Sequence, residues 1–234
     1  MFSSFATAIL SIVGVLLTVT SSVDGFSRLD FCSTKRFGTI ARSPSVSYLQ
    51  ASVGDKVAPA AVDKVVVLED AAAVGNAVRK IVGESAVAAI ADHGYFALAI
   101  PGGSILKMLV GDDILSSDLG DWTSKTVIAY VNHKCVPMED GNLATHAKAR
   151  KLFMDKWDGV NVIVLDGTDD GEAEAASYEA KMKALSDKEL PRDAAGLPVF
   201  DLALIGVGDD GHVGSLYPGR DEVLSGPDGV STWY

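Results

Sequence analysis

Asp209, Asp210 and His212 stand within four residues of one another, threaded between Gly206, Gly208 and Gly211. An imidazole takes and returns a proton near neutral pH, and a carboxylate two residues before it is placed to orient the ring. A glycine-dense turn lets backbone approach a ligand closely and aims N–H groups at an anion. The chemistry so spaced is general-base catalysis on an anionic substrate, with His212 as base, Asp210 as its orienter, and Gly208 and Gly211 shaping the turn. A second stretch, Pro101-Gly102-Gly103-Ser104, reads as a phosphate cradle: Gly102 and Gly103 bring the backbone close, and Ser104 suits the N-cap of a helix whose first N–H groups are unpaired. The same spacing equally fits a plain tight turn. In a third, Asn132-His133-Lys134, Lys134 supplies a cation. His133, Cys135 and His146 match no common zinc spacing, and no metal is assigned to them.

These residues need strands and helices to carry them. Phe200–Ile205 is an apolar run with one charge, Asp201, which reads as a strand buried on both faces and ending at the glycine turn. Val65–Leu68, Phe96–Ile100, Thr126–Val131 and Asn161–Leu165 read as further strands. Between them, residues 69–92 place Val74, Val78, Ile81 and Val82 on one helical face. Ile105–Val110 resumes helical spacing, and 172–190 puts Tyr178, Met182 and Leu185 on one side as core. Arg192–Pro198 reads as a loop. Strands alternating with helices predict an α/β fold, a Rossmann-like parallel sheet flanked by helices. The active site then belongs at the C-terminal ends of its strands.

The glycine turn has two other readings. A βα turn in which His212 caps the next segment is one. The other is a dinucleotide fingerprint, since Gly206-x-Gly208-x-x-Gly211 fits GxGxxG. That fingerprint needs an acid about 20 residues on, at the end of the next strand. Asp228 has the spacing but lies in Ser-Gly-Pro-Asp-Gly, a turn, and the fingerprint belongs in a first βαβ unit.

Phe200-Asp201-Leu202 followed by Gly206-x-Gly208-x-Asp210-Gly211-His212-x-x-Ser215-Leu216-x-Pro218-Gly219 resembles the signature of the 6-phosphogluconolactonases. The related glucosamine-6-phosphate deaminases share the Gly-x-Gly-x-Asp-Gly-His portion but continue differently after the histidine. The resemblance runs from about Val65 to Tyr234. It implies hydrolysis of 6-phospho-D-glucono-1,5-lactone to 6-phosphogluconate in the oxidative pentose phosphate pathway, with a sugar-phosphate lactone as the small-molecule partner. It also implies that Gly102, Gly103 and Ser104 hold the 6-phosphate, and that glycine-turn N–H groups with Lys134 stabilise the oxyanion. Such a mechanism needs no metal, no cofactor and no covalent intermediate. Where the family usually has Asp-Glu-Arg, this chain has Asn132-His133-Lys134. A lysine keeps the charge but loses the planar fork of arginine, and the Ser-Asn pair expected near Leu143–His146 is absent. These departures, and a chain that stops where relatives continue, leave two alternatives: a non-catalytic sugar-phosphate-binding relic, or a deaminase-like isomerase. A sheet incomplete at its C-terminus implies a marginally stable domain.

The chain of 234 residues is 48% hydrophobic and 22% charged, ordinary for one globular domain with an extension. Its net charge of −11 makes nucleic acid an unnatural partner. The charge is uneven: residues 1–58 carry five Lys/Arg against three Asp/Glu, net +2, and the remainder 15 against 28, net −13. Residues 5–19 are mostly apolar, a length that suits a signal peptide better than a membrane span. Residues 26–52 are serine-rich and basic, as transit peptides are. Residues 1–22 are therefore read as a signal peptide, 23–60 as a transit-peptide-like leader and 61–234 as the catalytic domain. A signal followed by a transit segment with Phe26 near the join resembles the bipartite plastid leader of algae with secondary plastids. The secretory pathway is the alternative, and no stable membrane association is expected once the leader is gone. Two cysteines, Cys32 and Cys135, make no disulfide framework.

Overall fold

The computed structural model describes residues 64–116 and 119–220, together with the backbone of three strands near the N-terminus. In chain order these are β1 (Phe5–Ala6), β2 (Val15–Ser21), β3 (Ser27–Cys32), β4 (Lys64–Leu68), α1 (Ala71–His93), β5 (Phe96–Ile100), α2 (Ile105–Met108), β6 (Thr126–Tyr130), β7 (His133–Lys134), α3 (Thr145–Leu152), β8 (Asn161–Val162), α4 (Gly171–Ala184) and β9 (Leu202–Gly206). The expected alternation of strand and helix is present. The region around Asp228 and Val230–Tyr234 lies outside the described residues.

Seven strands form one sheet in the order β4-β3-β2-β9-β5-β6-β8. β9, β5, β6 and β8 run parallel, as does β2 beside β9, whereas β3 is antiparallel to both its neighbours. The segments at 15–21 and 27–32, read from sequence as leader, thus lie between β9 and the edge strand β4. An apolar run pairs readily with an edge whose N–H and C=O groups are otherwise unsatisfied.

The strands show why their sequences look as they do. Phe96, Leu98 and Ile100 of β5 face a core with Val74, Val78 and Val82 of α1, while Ala97 and Ala99 face the opposite core with Tyr178 and Met182 of α4. All five β5 residues are buried, so no polar alternation survives in the sequence. Small alanines on the second face let α4 come close enough for the Tyr130 N–H to bond to the Tyr178 hydroxyl at 2.7 Å. The Asp70 carboxylate caps α1 by accepting from the Ala73 N–H at 2.8 Å. Gly94, at φ 96°, ends that helix with its N–H on the Ile90 carbonyl.

Several boundaries differ from expectation. α4 stops at Ala184 instead of Leu190, because Arg192 reaches back to the carbonyls of Met182 (2.8 Å) and Leu185 (3.4 Å) and finishes the helix there. Only Asn161–Val162 pair as β8, although Ile163 and Leu165 continue into the core. α2 is four residues long, and Ser104, expected as its N-cap, makes no capping hydrogen bond and has helical backbone angles. Asp201 is a structural clamp: its carboxylate takes the Ala97 N–H at 2.8 Å and lies 3.0 Å from His93 Nε2, tying the start of β9 to β5 and the end of α1.

One feature of this topology places the site. From β5 the chain moves outward to β6 and β8, then returns through α4 to β9 on the other side of β5. The loops leaving β5 and β9 therefore diverge, and they leave a crevice at the carboxyl ends of the strands.

Candidate active site

That crevice is a cleft of about 540 Å³ lined by Gly102, Gly103 and Ser104 after β5, Asn132 and Lys134 after β6, and Gly208 and His212 after β9. Three stretches that are remote in sequence and were singled out there meet at one place. Asp210 does not line the cleft; it sits behind the histidine. Its Oδ1 is 2.5 Å from His212 Nδ1 and also accepts the His212 N–H at 3.2 Å. With Nδ1 occupied, Nε2 is the ring nitrogen left for chemistry. The hydrogen bonds from the His212 side chain and backbone hold the Asp210 carboxyl below the usual carboxylate range, so it remains an acceptor.

Gly208 is a glycine because of this ring. A Cβ built there would lie 2.2 Å from two imidazole atoms of His212, which no side chain tolerates. Tyr217 stacks on the ring, at 4.6 Å between centroids and inclined by 29°. The Arg220 guanidinium carbon lies 4.6 Å from the Tyr217 centroid. The glycine turn itself corrects one expectation. The Gly208 N–H bonds to the His212 carbonyl and the Gly211 N–H to the Gly208 carbonyl, both at 2.9 Å. Neither N–H is available for an oxyanion. Gly211, at φ 84°, closes the turn in a backbone region that side chains disfavour. Gly208 and Gly211 thus seat the imidazole, and of the two only Gly208 borders the cleft.

The loop after β5 borders the cleft, but not as the capped helix start that was expected. Four residues of helix provide little dipole. What the loop offers is close backbone approach: Gly103 adopts φ 76°, and a Cβ on Gly102 would meet Thr145 Oγ1 at 3.1 Å. Thr145 and Lys148, from the first turn of α3, line the same cleft. The resemblance pointed to the stretch that holds Thr145, where a Ser-Asn pair was expected, but nothing in the sequence singled out Lys148. Lys134 and Lys148 both act on Asp140, whose carboxyl is lowered first by the N–H groups of Leu143 and Asn142 and further by the two lysines. A cationic pair thus faces the cleft in a chain of strong net negative charge.

His133 turns away from metal chemistry. It is 4% exposed, and both ring nitrogens are engaged: Nδ1 is 2.7 Å from the Lys134 carbonyl, and Nε2 accepts the His146 N–H at 3.0 Å. Burial is the largest effect on this ring and lowers its pKa; the Lys134 carbonyl and Glu174 oppose it more weakly. A neutral His133 therefore pins the start of α3, and with it Thr145 and Lys148, against β7. His146 Nδ1 in turn pairs with the Tyr130 hydroxyl at 2.8 Å. Glu174, also buried, accepts from the Asp166 (2.8 Å) and Thr168 (2.5 Å) N–H groups; burial pushes its pKa up, but these bonds outweigh it and leave it low.

An α/β protein thus brings an Asp-bonded histidine, a glycine loop and two lysines together at its topological switch point. Residues 69–232 match the family model for glucosamine-6-phosphate isomerases/6-phosphogluconolactonase, and the chain belongs to that family. It is 32% identical over 161 residues to a probable 6-phosphogluconolactonase of Schizosaccharomyces pombe, covering 65% of this chain and 60% of that one. It is also 32% identical over 136 residues to 6-phosphogluconolactonase 3, chloroplastic, of Arabidopsis thaliana, covering 55% and 41%. The fold is that of a 6-phosphogluconolactonase crystal structure from Shewanella baltica, with a TM-score of 0.54 at 18% identity, covering 66% of this chain and 61% of that one. The chain spans about 60% or less of the length of these curated relatives.

Proposed function

We propose that this protein hydrolyses 6-phospho-D-glucono-1,5-lactone to 6-phosphogluconate, the reaction that its relatives' names describe. The observation that carries the reading is the His212–Asp210 pair, with Nε2 free, in a cleft shared with Gly102, Gly103, Ser104, Lys134 and Lys148. His212 Nε2 removes a proton from water as its oxygen attacks the lactone carbonyl. The developing oxyanion faces Lys134. When the tetrahedral intermediate collapses, the ring C–O bond breaks and the leaving ring oxygen takes the proton back from His212, giving the open hydroxy acid. Asp210 holds the ring and supports its transient charge. Gly102, Gly103 and Ser104, with Lys148, hold the phosphate. No metal is needed for these steps.

The purified full chain should consume this lactone well above its spontaneous hydrolysis. Ammonia release from glucosamine 6-phosphate in place of lactone turnover would select the isomerase instead, and tight binding of 6-phosphogluconate without either reaction would select a binding relic. We further read residues 1–60 as a plastid-directing leader, a reading supported by relatives from Arabidopsis thaliana and Oryza sativa named chloroplastic. Among the described residues no helix is long and apolar enough to cross a membrane. A reporter fused behind residues 1–60 should collect in plastids; its secretion would overturn this assignment.

A further inference from the structure

Ser215 is the one residue other than glycine with positive φ, 70°, among the described residues. A Cβ in that region is strained, and strain of this kind persists only where its surroundings enforce it. The backbone reason is a two-residue turn, Gly214 (φ 56°) and Ser215, closed by paired bonds between Val213 and Leu216. A serine in this glycine-favouring position places its Oγ where Asn132 Nδ2 donates to it at 2.7 Å. Asn132 follows β6 and Ser215 follows β9, and these strands flank β5. The bond therefore bridges the ends of two non-adjacent strands, across the loop that carries Gly102, Gly103 and Ser104. A second contact runs beside it: a Cβ on Gly214 would lie 3.2 Å from Val131 Cγ1, so residues 214 and 215 lie along 131 and 132. Asn132 Oδ1 is closed off from solvent and finds no donor among the described residues, an unusual state for a buried amide. The orphaned acceptor and the non-glycine residue at positive φ meet at this one bond. Two residues further on the loop delivers Tyr217, which stacks on His212.

We propose that Asn132 and Ser215 form a clasp that positions the general base. Neither touches the reacting atoms by this assignment; both act through Tyr217 on the His212 ring. The idea rests on the lactonase reading for its catalytic consequence, but not for its structural one.

The test uses the full chain with Ser215→Gly, Asn132→Ala and the double variant. Glycine removes the hydroxyl and the strain together, so Ser215→Gly should melt no lower than the wild type. Its His212 ring protons should nevertheless lose the ring-current shift imposed by Tyr217, and kcat should fall about tenfold with KM little changed. Asn132→Ala should move the same resonances, and the double variant should be no worse than either single one. Unmoved His212 resonances in Ser215→Gly would overturn the clasp, as would a kcat that falls only in step with melting temperature. Should Asn132→Ala fail to fold, Ser215→Gly decides. Should the wild type show no lactone turnover, the resonances still decide, and only the proposed function is lost.

Discussion

At the scale of single residues, the His212 ring is held from several sides. Asp210 fixes Nδ1, Gly208 leaves space for the imidazole, and Tyr217 stacks on it. Gly208 makes the sharpest prediction, because its role is steric and leaves every charge in place. Gly208→Ala forces the imidazole from its seat, and a displacement of about 1 Å at a catalytic group costs on the order of 10²-fold in rate. The variant should fold and lose kcat by that amount; retention of near-normal kcat would show that the ring is not held against Gly208. The sequence exposed much at this scale. Asp210 and His212 announced themselves by type and spacing, and the resemblance drew attention to Ser215. Lys148 and Tyr217 gave no such sign, since a lysine on a helix and a tyrosine in a loop are common, and only tertiary packing brings them to the cleft. Gly208 and Gly211 were legible as important but not in their function: spacing shows that a turn is tight, whereas only coordinates show that its N–H groups bond within it.

At the scale of elements, α3 depends on His133. The neutral ring donates through Nδ1 to the Lys134 carbonyl and accepts the His146 N–H at Nε2, so protonation sets an N–H against an N–H. The folded state lowers the pKa of His133, and that of His146 beside it, through burial first and, for His146, the charges of Arg150 and His133. The unfolded chain therefore binds more protons than the folded chain below the ordinary histidine value of about 6.5. Stability from this source is fully present above that value and declines as pH falls from there towards the lowered folded values. The melting temperature should fall between about pH 7 and pH 5 more steeply for the wild type than for His133→Asn, whose amide can both donate and accept. Parallel slopes would contradict the assignment. Strands and helices themselves were largely legible, because buried β5, β6 and β9 are continuous apolar runs and α1 keeps its periodicity. The ends were not: Arg192 ends α4 through contacts with Met182 and Leu185, and no local pattern announces that.

At the scale of the whole molecule, β2 runs beside β9 and β3 separates it from β4. A leader that is removed on import would take β2 and β3 with it and leave the edge of β9 bare. Residues 61–234 alone should therefore melt lower than the full chain and self-associate more, since an unpaired strand edge is a template for pairing. Equal melting temperatures with both forms monomeric would show that β2 contributes nothing to the sheet. Fold class was legible from the βα alternation, and so was the gathering of the candidate residues at the carboxyl ends of strands. Pairing across the sheet was not, because a strand's neighbours are set by topology and not by its own sequence. The switch point between β5 and β9, which makes the cleft, follows from that pairing.

Whether His212 is the base of a lactone-hydrolysing cleft is decided by comparing kcat of the full chain and of His212→Ala on 6-phospho-D-glucono-1,5-lactone, corrected for spontaneous hydrolysis. Removal of a general base typically costs about 10²–10⁴-fold. A loss of kcat in that range, with KM little changed and the variant folded, is expected. Undiminished kcat in the variant would contradict that role.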